Sequence, residues 1–169
     1  MRRIKGSLTN RDKRTAVQEK VRQTAEKELG KISERDLLMI GTALFWAEGN
    51  KKGSRFVFSN SDPAMISLMA SFLQKCMGVT HDEMYLSIQI NESHKSRSDK
   101  VIKFWMKHLN FDKSQIRGPY FIRSKTVKEY ANSDNYFGIA RMQVRRSSVL
   151  QYRILGYIRG LAERFNMSG

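Results

Sequence analysis

The sequence predicts an α+β protein in which an antiparallel sheet carries its helices on one face. Two observations lead there. Residues 83–91 and 138–144 alternate apolar and polar side chains with a period of two, the signature of half-buried strands. Between and around them lie stretches with apolar residues at helical spacing. The order is helix, helix, strand, helix, strand, helix, strand, strand, helix, and this pattern favours antiparallel pairing with helices to one side.

The elements follow from local signals. Residues 1–10 are basic and broken by a Gly-Ser pair, so they are expected to be loose. A helix is predicted from about Asp12 to Leu29, closed by Gly30, with Val17, Val21, Ala25 and Leu29 as a narrow stripe. Residues 1–32 thus form a basic N-terminal segment, 33–165 the main domain and 166–169 a C-terminal tail. Ser33 and Asp36 cap the start of the longest apolar run, Leu37 to Ala47, and Gly49 is expected to close that helix in the left-handed conformation. Arg55 to Ser59 has strand composition. Asp62-Pro63 opens the next helix, with Met65, Ile66, Leu68, Met69, Phe72, Leu73 and Cys76 inward and Gly78 at its end.

Met84, Leu86, Ile88 and Ile90 point to the core from the next strand, and Tyr85, Ser87, Gln89 and Asn91 point away. A helix near 98–109 turns Val101, Ile102, Trp105 and Leu109 inward. Tyr120 to Arg123 reads as a short strand, followed by a polar hairpin loop with Lys125, Lys128 and Asn132 to Asn135. Gly138, Ala140, Met142 and Val144 face inward from the last strand; Ile139, Arg141, Gln143 and Arg145 face outward. Ser147 or Ser148 caps a final helix buried along Leu150, Ile154, Ile158 and Leu161.

Charge is the strongest functional signal. Among 169 residues, 31 are Lys or Arg and 16 are Asp or Glu, a net charge of +15. That balance calls for a polyanionic partner, and nucleic acid is the usual one. Charge does not choose DNA over RNA, so an RNA-binding accessory protein stays open. No lipid anchor or membrane-spanning run is evident, so no membrane partner is expected. A single cysteine, Cys76, excludes an internal disulfide and a cysteine-rich zinc site. With a polar, basic N-terminus lacking signal-peptide features, this points to the cytoplasm, with nucleoid association compatible. His81, His94 and His108 lack metal-ligand spacing, and no glycine-rich phosphate loop or nucleophile elbow appears.

Two surfaces are candidates for binding. The outward strand faces bring together Tyr85, Ser87, Gln89, Arg141, Gln143 and Arg145, bordered by Lys51, Lys52, Arg55, Arg123, Lys125 and Lys128. Arg and Lys neutralise phosphates, and Arg and Gln pair with guanine and adenine edges in the major groove. A solvated sheet face without a ligand is the competing interpretation. The second candidate is the run from Leu37 to Gly49. Ala43 and Ala47 sit four apart on one face, where small side chains admit another helix, and Glu48 stands at its end. It is either a core helix whose Glu48 is the first solvated residue, or an interface element.

Gly41 to Gly49 resembles the nine-residue motif of LAGLIDADG homing endonucleases and their non-cleaving relatives. Ala43, Ala47 and Gly49 match, Glu48 replaces the final aspartate, and Gly41, Thr42 and Trp46 depart from the namesake letters. The longer pattern is Ala-Leu-Phe-Trp-Ala-Glu-Gly-Asn-Lys at 43–51, Phe58-Ser59-Asn60-Ser61-Asp62-Pro63, Phe104-Trp105 and Gly-x-Ala-x-Met-x-Val at 138–144. It looks like a single-motif bacterial branch of that family over residues 37–161, without the helix-turn-helix that members often carry.

The resemblance implies a homodimer on a near-palindromic DNA duplex. Ile40, Ala43, Leu44 and Ala47 would lie at the interface. Glu48 would be the catalytic carboxylate, and Glu48 with Gly49 would hold Mg²⁺ in an endonuclease. A regulator that binds without cutting fits the same fold. The segment Asn50 to Asn60 leaves room for only one short strand or a stunted hairpin where homing endonucleases carry a long one, so the DNA footprint should be small.

Overall fold

The structure is a computed structural model that describes residues 2–123 and 136–165, with residues 2–8 by their backbone alone. Lys125, Lys128, the expected loop at 132–135 and the tail at 166–169 lie outside the described residues. The chain divides into two units, Met1–Ser33 and Glu34–Gly169.

The first unit is one helix, α1 (Arg2–Leu29), followed by Gly30 at φ +60°. It begins ten residues before the predicted start at Asp12, so residues 2–10 are helical rather than loose. One glycine in a helix costs only about 1 kcal/mol, and Gly6 is carried within α1. Arg22 pairs with Glu19 at 3.1 Å and Glu26 at 3.7 Å, and Gln23 donates to Glu19 at 2.9 Å. The stripe of Val17, Val21 and Leu29 is exposed.

The second unit is α+β. Among the described residues it holds α2 (Glu34–Glu48), β1 (Val57–Asn60), α3 (Pro63–Met77), β2 (Met84–Asn91), α4 (Ser98–Leu109), β3 (Ile116–Ile122), β4 (Ile139–Val144) and α5 (Ser148–Arg164). The strands form one open sheet in the order β1-β4-β2-β3. One core joins the inner face of the strands (Phe58, Leu86, Ile88, Ile90, Ala140, Met142) to Phe45 of α2, Phe72 of α3, Trp105 of α4 and Ile154 of α5. The α3 cap forms as expected. Asp62 accepts from the Ala64 amide at 2.8 Å, Pro63 takes the first helical position and Gly78 closes the helix at φ +71°.

The sheet is mixed, which corrects the antiparallel expectation. β4 pairs antiparallel with both β1 and β2, but β3 runs parallel to β2 from Leu86↔Ile116 to Asn91↔Ile122. The physical cause is α4: a helix between two strands returns the chain to the starting end of the first, so the second runs the same way. The β2–β3 register slips between Ser87 and Gln89, opposite Gly118 and Pro119. β3 and β4 are not neighbours, since both flank β2, so these two strands do not pair with each other as a hairpin. Entry into β4 needs a glycine. Gly138 sits at φ +73°, where a Cβ would strike the Gln89 carbonyl.

Helix α2 lies close against α3 because Gly41 has no side chain; a Cβ there would enter the Phe72 ring. Gly49 does not take the left-handed conformation expected of it. Its amide donates to the Phe45 carbonyl at 2.8 Å, and the residue then bridges antiparallel to Phe58. The helix therefore ends by running directly into a stunted hairpin with β1, where the Asn50 amide donates to Val57 at 2.9 Å.

Gln115 is a buried polar tie. Its Nε2 donates to the carbonyls of His81 at 2.9 Å and Met84 at 3.0 Å, and its Oε1 accepts from the Asp112 amide at 3.0 Å. Gln115→Leu strands these partners and is expected to destabilise the domain by about 2 kcal/mol, measured by urea denaturation.

Candidate nucleic-acid interface

The sheet leaves its outer face uncovered by α2 to α5, which share their core with the inner face. Alternation places Tyr85, Ser87 and Gln89 of β2 on that outer face. Register sets them beside Gln143, Arg141 and Ile139 of β4. On the far side, Ser87 pairs with Arg117 and Gln89 with Tyr120. Of the six residues predicted to gather here, Tyr85, Ser87, Gln89, Arg141 and Gln143 share one surface, whereas Arg145 lies just past the end of β4.

This surface is knitted together. Gln143 Nε2 donates to Ser87 Oγ at 2.7 Å, and the Tyr85 hydroxyl donates to Gln143 Oε1 at 3.4 Å. The Arg117 guanidinium stacks over the Tyr85 ring at 4.0 Å. A guanidinium held on an aromatic face is oriented before any ligand arrives. Arg117 and the exposed Tyr120 were missed by sequence reasoning, which began the strand at Tyr120. A β-strand signal starting at Ile116 would have found both.

The border residues divide. Lys52, Arg55 and Arg145 are exposed. Lys51 is also exposed, but its Nζ donates to the Trp46 carbonyl at 2.7 Å, where it satisfies a free C=O at the end of α2. Arg123 is bound to Glu92 at 2.7 Å. The guanidinium holds the Glu92 carboxyl below its ordinary range, and the carboxylate raises Arg123 in turn. Part of the Arg123 charge is therefore spoken for.

The second candidate surface is the outer side of α2. Gly41, Thr42 and Phe45 are buried, whereas Ile40, Ala43 and Ala47 are exposed and Leu44 is half-buried. The predicted interface residues thus form an apolar stripe, Ile40, Ala43, Leu44 and Ala47, that the described residues leave largely uncovered. Glu48 follows it at the exposed end of the helix. Among the described residues its carboxylate has no partner.

Glu48 and the Gly49 backbone offer one carboxylate and one carbonyl per chain toward Mg²⁺. That ion takes six oxygen ligands in near-octahedral order, and among the described residues no group of three His, Cys, Asp or Glu could hold a metal. Mg²⁺ keeps several waters and is commonly held by one or two carboxylates with substrate phosphates, so a helix pair that duplicates Glu48 would supply the carboxylates the resemblance implies.

Fold and surfaces together define an α+β protein with an open mixed sheet, one basic amide-rich face and one uncovered helix stripe. No family model matches the chain, and no curated protein or solved structure matches it either. Among the described residues no helix is long and apolar enough to cross a membrane.

Proposed function

We propose that the chain binds duplex DNA as a homodimer, with the outer sheet faces against the duplex and the α2 stripes at the two-fold axis. The observation that carries this reading is the uncovered sheet face, where Arg117, Arg141, Gln89 and Gln143 stand together in a chain of net charge +15. A two-stranded ribbon fits the major groove, where arginine and glutamine have matched base edges. The likeness of residues 41–49 to the LAGLIDADG motif supports the same arrangement. So does the exposure of Ile40, Ala43 and Ala47, which is what a symmetric helix pair needs.

Selection from a random duplex pool at moderate salt tests it. A pseudo-palindrome is the expected product. A single asymmetric half-site removes the dimer, and no enrichment on DNA redirects the charge to RNA. On the selected site, Arg141→Gln is expected to weaken discrimination at one base position per half-site by about 1–3 kcal/mol, read from affinities for single-base variants of the duplex.

A second reading adds strand cleavage. Its observation is the unpartnered Glu48 carboxylate at the end of the exposed stripe, which a helix pair would duplicate near the axis. If it holds, Glu48→Gln abolishes Mg²⁺-dependent scission of the selected duplex and leaves affinity unchanged. Absence of scission by the parent protein assigns the chain to binding alone.

A further inference from the structure

We infer that Arg55, Arg145 and Arg146 form a phosphate-binding cleft where β4 passes into α5. This deepens the DNA-binding reading above and, for the source of the phosphate, rests on it. The cleft has a volume of about 450 Å³, and its walls include Ser54, Arg55, Tyr85, Arg145, Arg146 and Ser148. Among the described residues no carboxylate lines it. Among the described residues none of the three arginines is ion-paired, unlike Arg123 and Arg159, which hold Glu92 and Glu163 at 2.7 Å. Three guanidinium groups gathered without an anion repel one another, and a bound phosphate reverses the sign of that interaction.

The gathering is built rather than incidental. Arg55 is far from Arg145 and Arg146 in the chain, yet the Phe56 amide donates to Ser147 Oγ at 3.0 Å in a buried bond. The Arg145 amide donates to the Glu83 carbonyl at 2.9 Å. These two bonds fix both walls to the sheet.

Ser147 Oγ accepts from Phe56, and its side chain makes no capping bond to α5. The first amides of that 17-residue helix therefore keep their free donors beside the arginines.

Tyr85 joins the cleft to the sheet face, since it lines the former and carries Arg117 on its ring. A duplex lying on the face would set one backbone phosphate into the cleft. That contact positions the duplex and carries no sequence information.

The test follows binding of labelled duplex to the full chain as salt is raised. Arg145→Gln and Arg146→Gln are each expected to weaken every duplex sequence by a similar factor and to reduce the salt slope by about one. Arg159→Gln, whose partner is Glu163, is expected to leave the slope unchanged.

Slopes unaffected by both cleft substitutions overturn the cleft and leave the DNA reading standing. If the parent protein does not bind duplex, the DNA reading falls. The cleft is then decided by titrating inorganic phosphate and pyrophosphate against the amide resonances of Ser148 and Val149. Shifts that the double variant Arg145→Gln, Arg146→Gln abolishes sustain it as a site for free phosphate; no shift overturns it.

Discussion

Trp105→Ala is expected to lower the unfolding free energy by about 3–5 kcal/mol, a large part of the roughly 5–15 kcal/mol of a typical domain. Trp105 is fully buried in the core shared by the helices and sheet. Its Nε1 donates to the Phe137 carbonyl at 2.9 Å, and its ring meets Phe104 edge-on at 5.2 Å. Phe104 in turn stacks on Phe137 at 3.6 Å. Trp105 therefore fills space and also pins the approach to β4 against α4. Alanine leaves both a cavity and an unpaired carbonyl. Trp105→Phe largely separates the two effects, because it loses the hydrogen bond and keeps most, though not all, of the volume; it is expected to cost about 1–2 kcal/mol. Urea denaturation of both variants measures the difference.

Ala43→Glu is expected to weaken binding to a two-half-site duplex by about a hundredfold or more. Two half-sites held by a dimer gain through effective concentration, and that gain spans about 10²–10⁴. Ala43 is exposed on α2, so the substitution leaves the domain's own packing alone. It would set two carboxylates face to face at the proposed axis. Sedimentation checks the loss of the dimer, and a thermal melt at the parent's temperature shows that the fold survives. Equal affinity of parent and variant for a paired site would remove α2 from the interface.

Much of the fold was legible in local patterns. The period-two alternation at Met84–Ile90 and Gly138–Val144 gave the strands and their faces, and so the five residues of the outer face that register brings together. Asp62-Pro63 and Gly78 gave both ends of α3. What failed depends on tertiary direction or on one backbone angle. β3 has no clean alternation, and its parallel course is set by α4. A helix between two strands is a usable signal for parallel pairing, and here it prevails over the general preference for antiparallel neighbours. Gly49 does follow the last residue of α2, but its conformation is set by the bridge to Phe58 rather than by a left-handed cap. Arg146 lay beside the predicted Arg145 and was passed over. Its convergence with Arg55 depends on the Phe56–Ser147 bond, which no local pattern encodes.

The strand order β1-β4-β2-β3 bears on how the chain is made. Among the described strands β1 pairs with β4 alone, apart from its bridge to Gly49, and β4 begins at Ile139, well after β1 ends at Asn60. A growing chain emerging from the ribosome can build the β2–α4–β3 unit early, but β1 waits without a strand partner. β2 likewise presents an open edge. An unpaired edge is where nascent chains associate wrongly. Closure of the sheet thus comes as one late event, when the final strand slides between two that were synthesised long before it. A chain arrested before Ile139 should be a client for chaperones, and release of the remaining residues should let it fold.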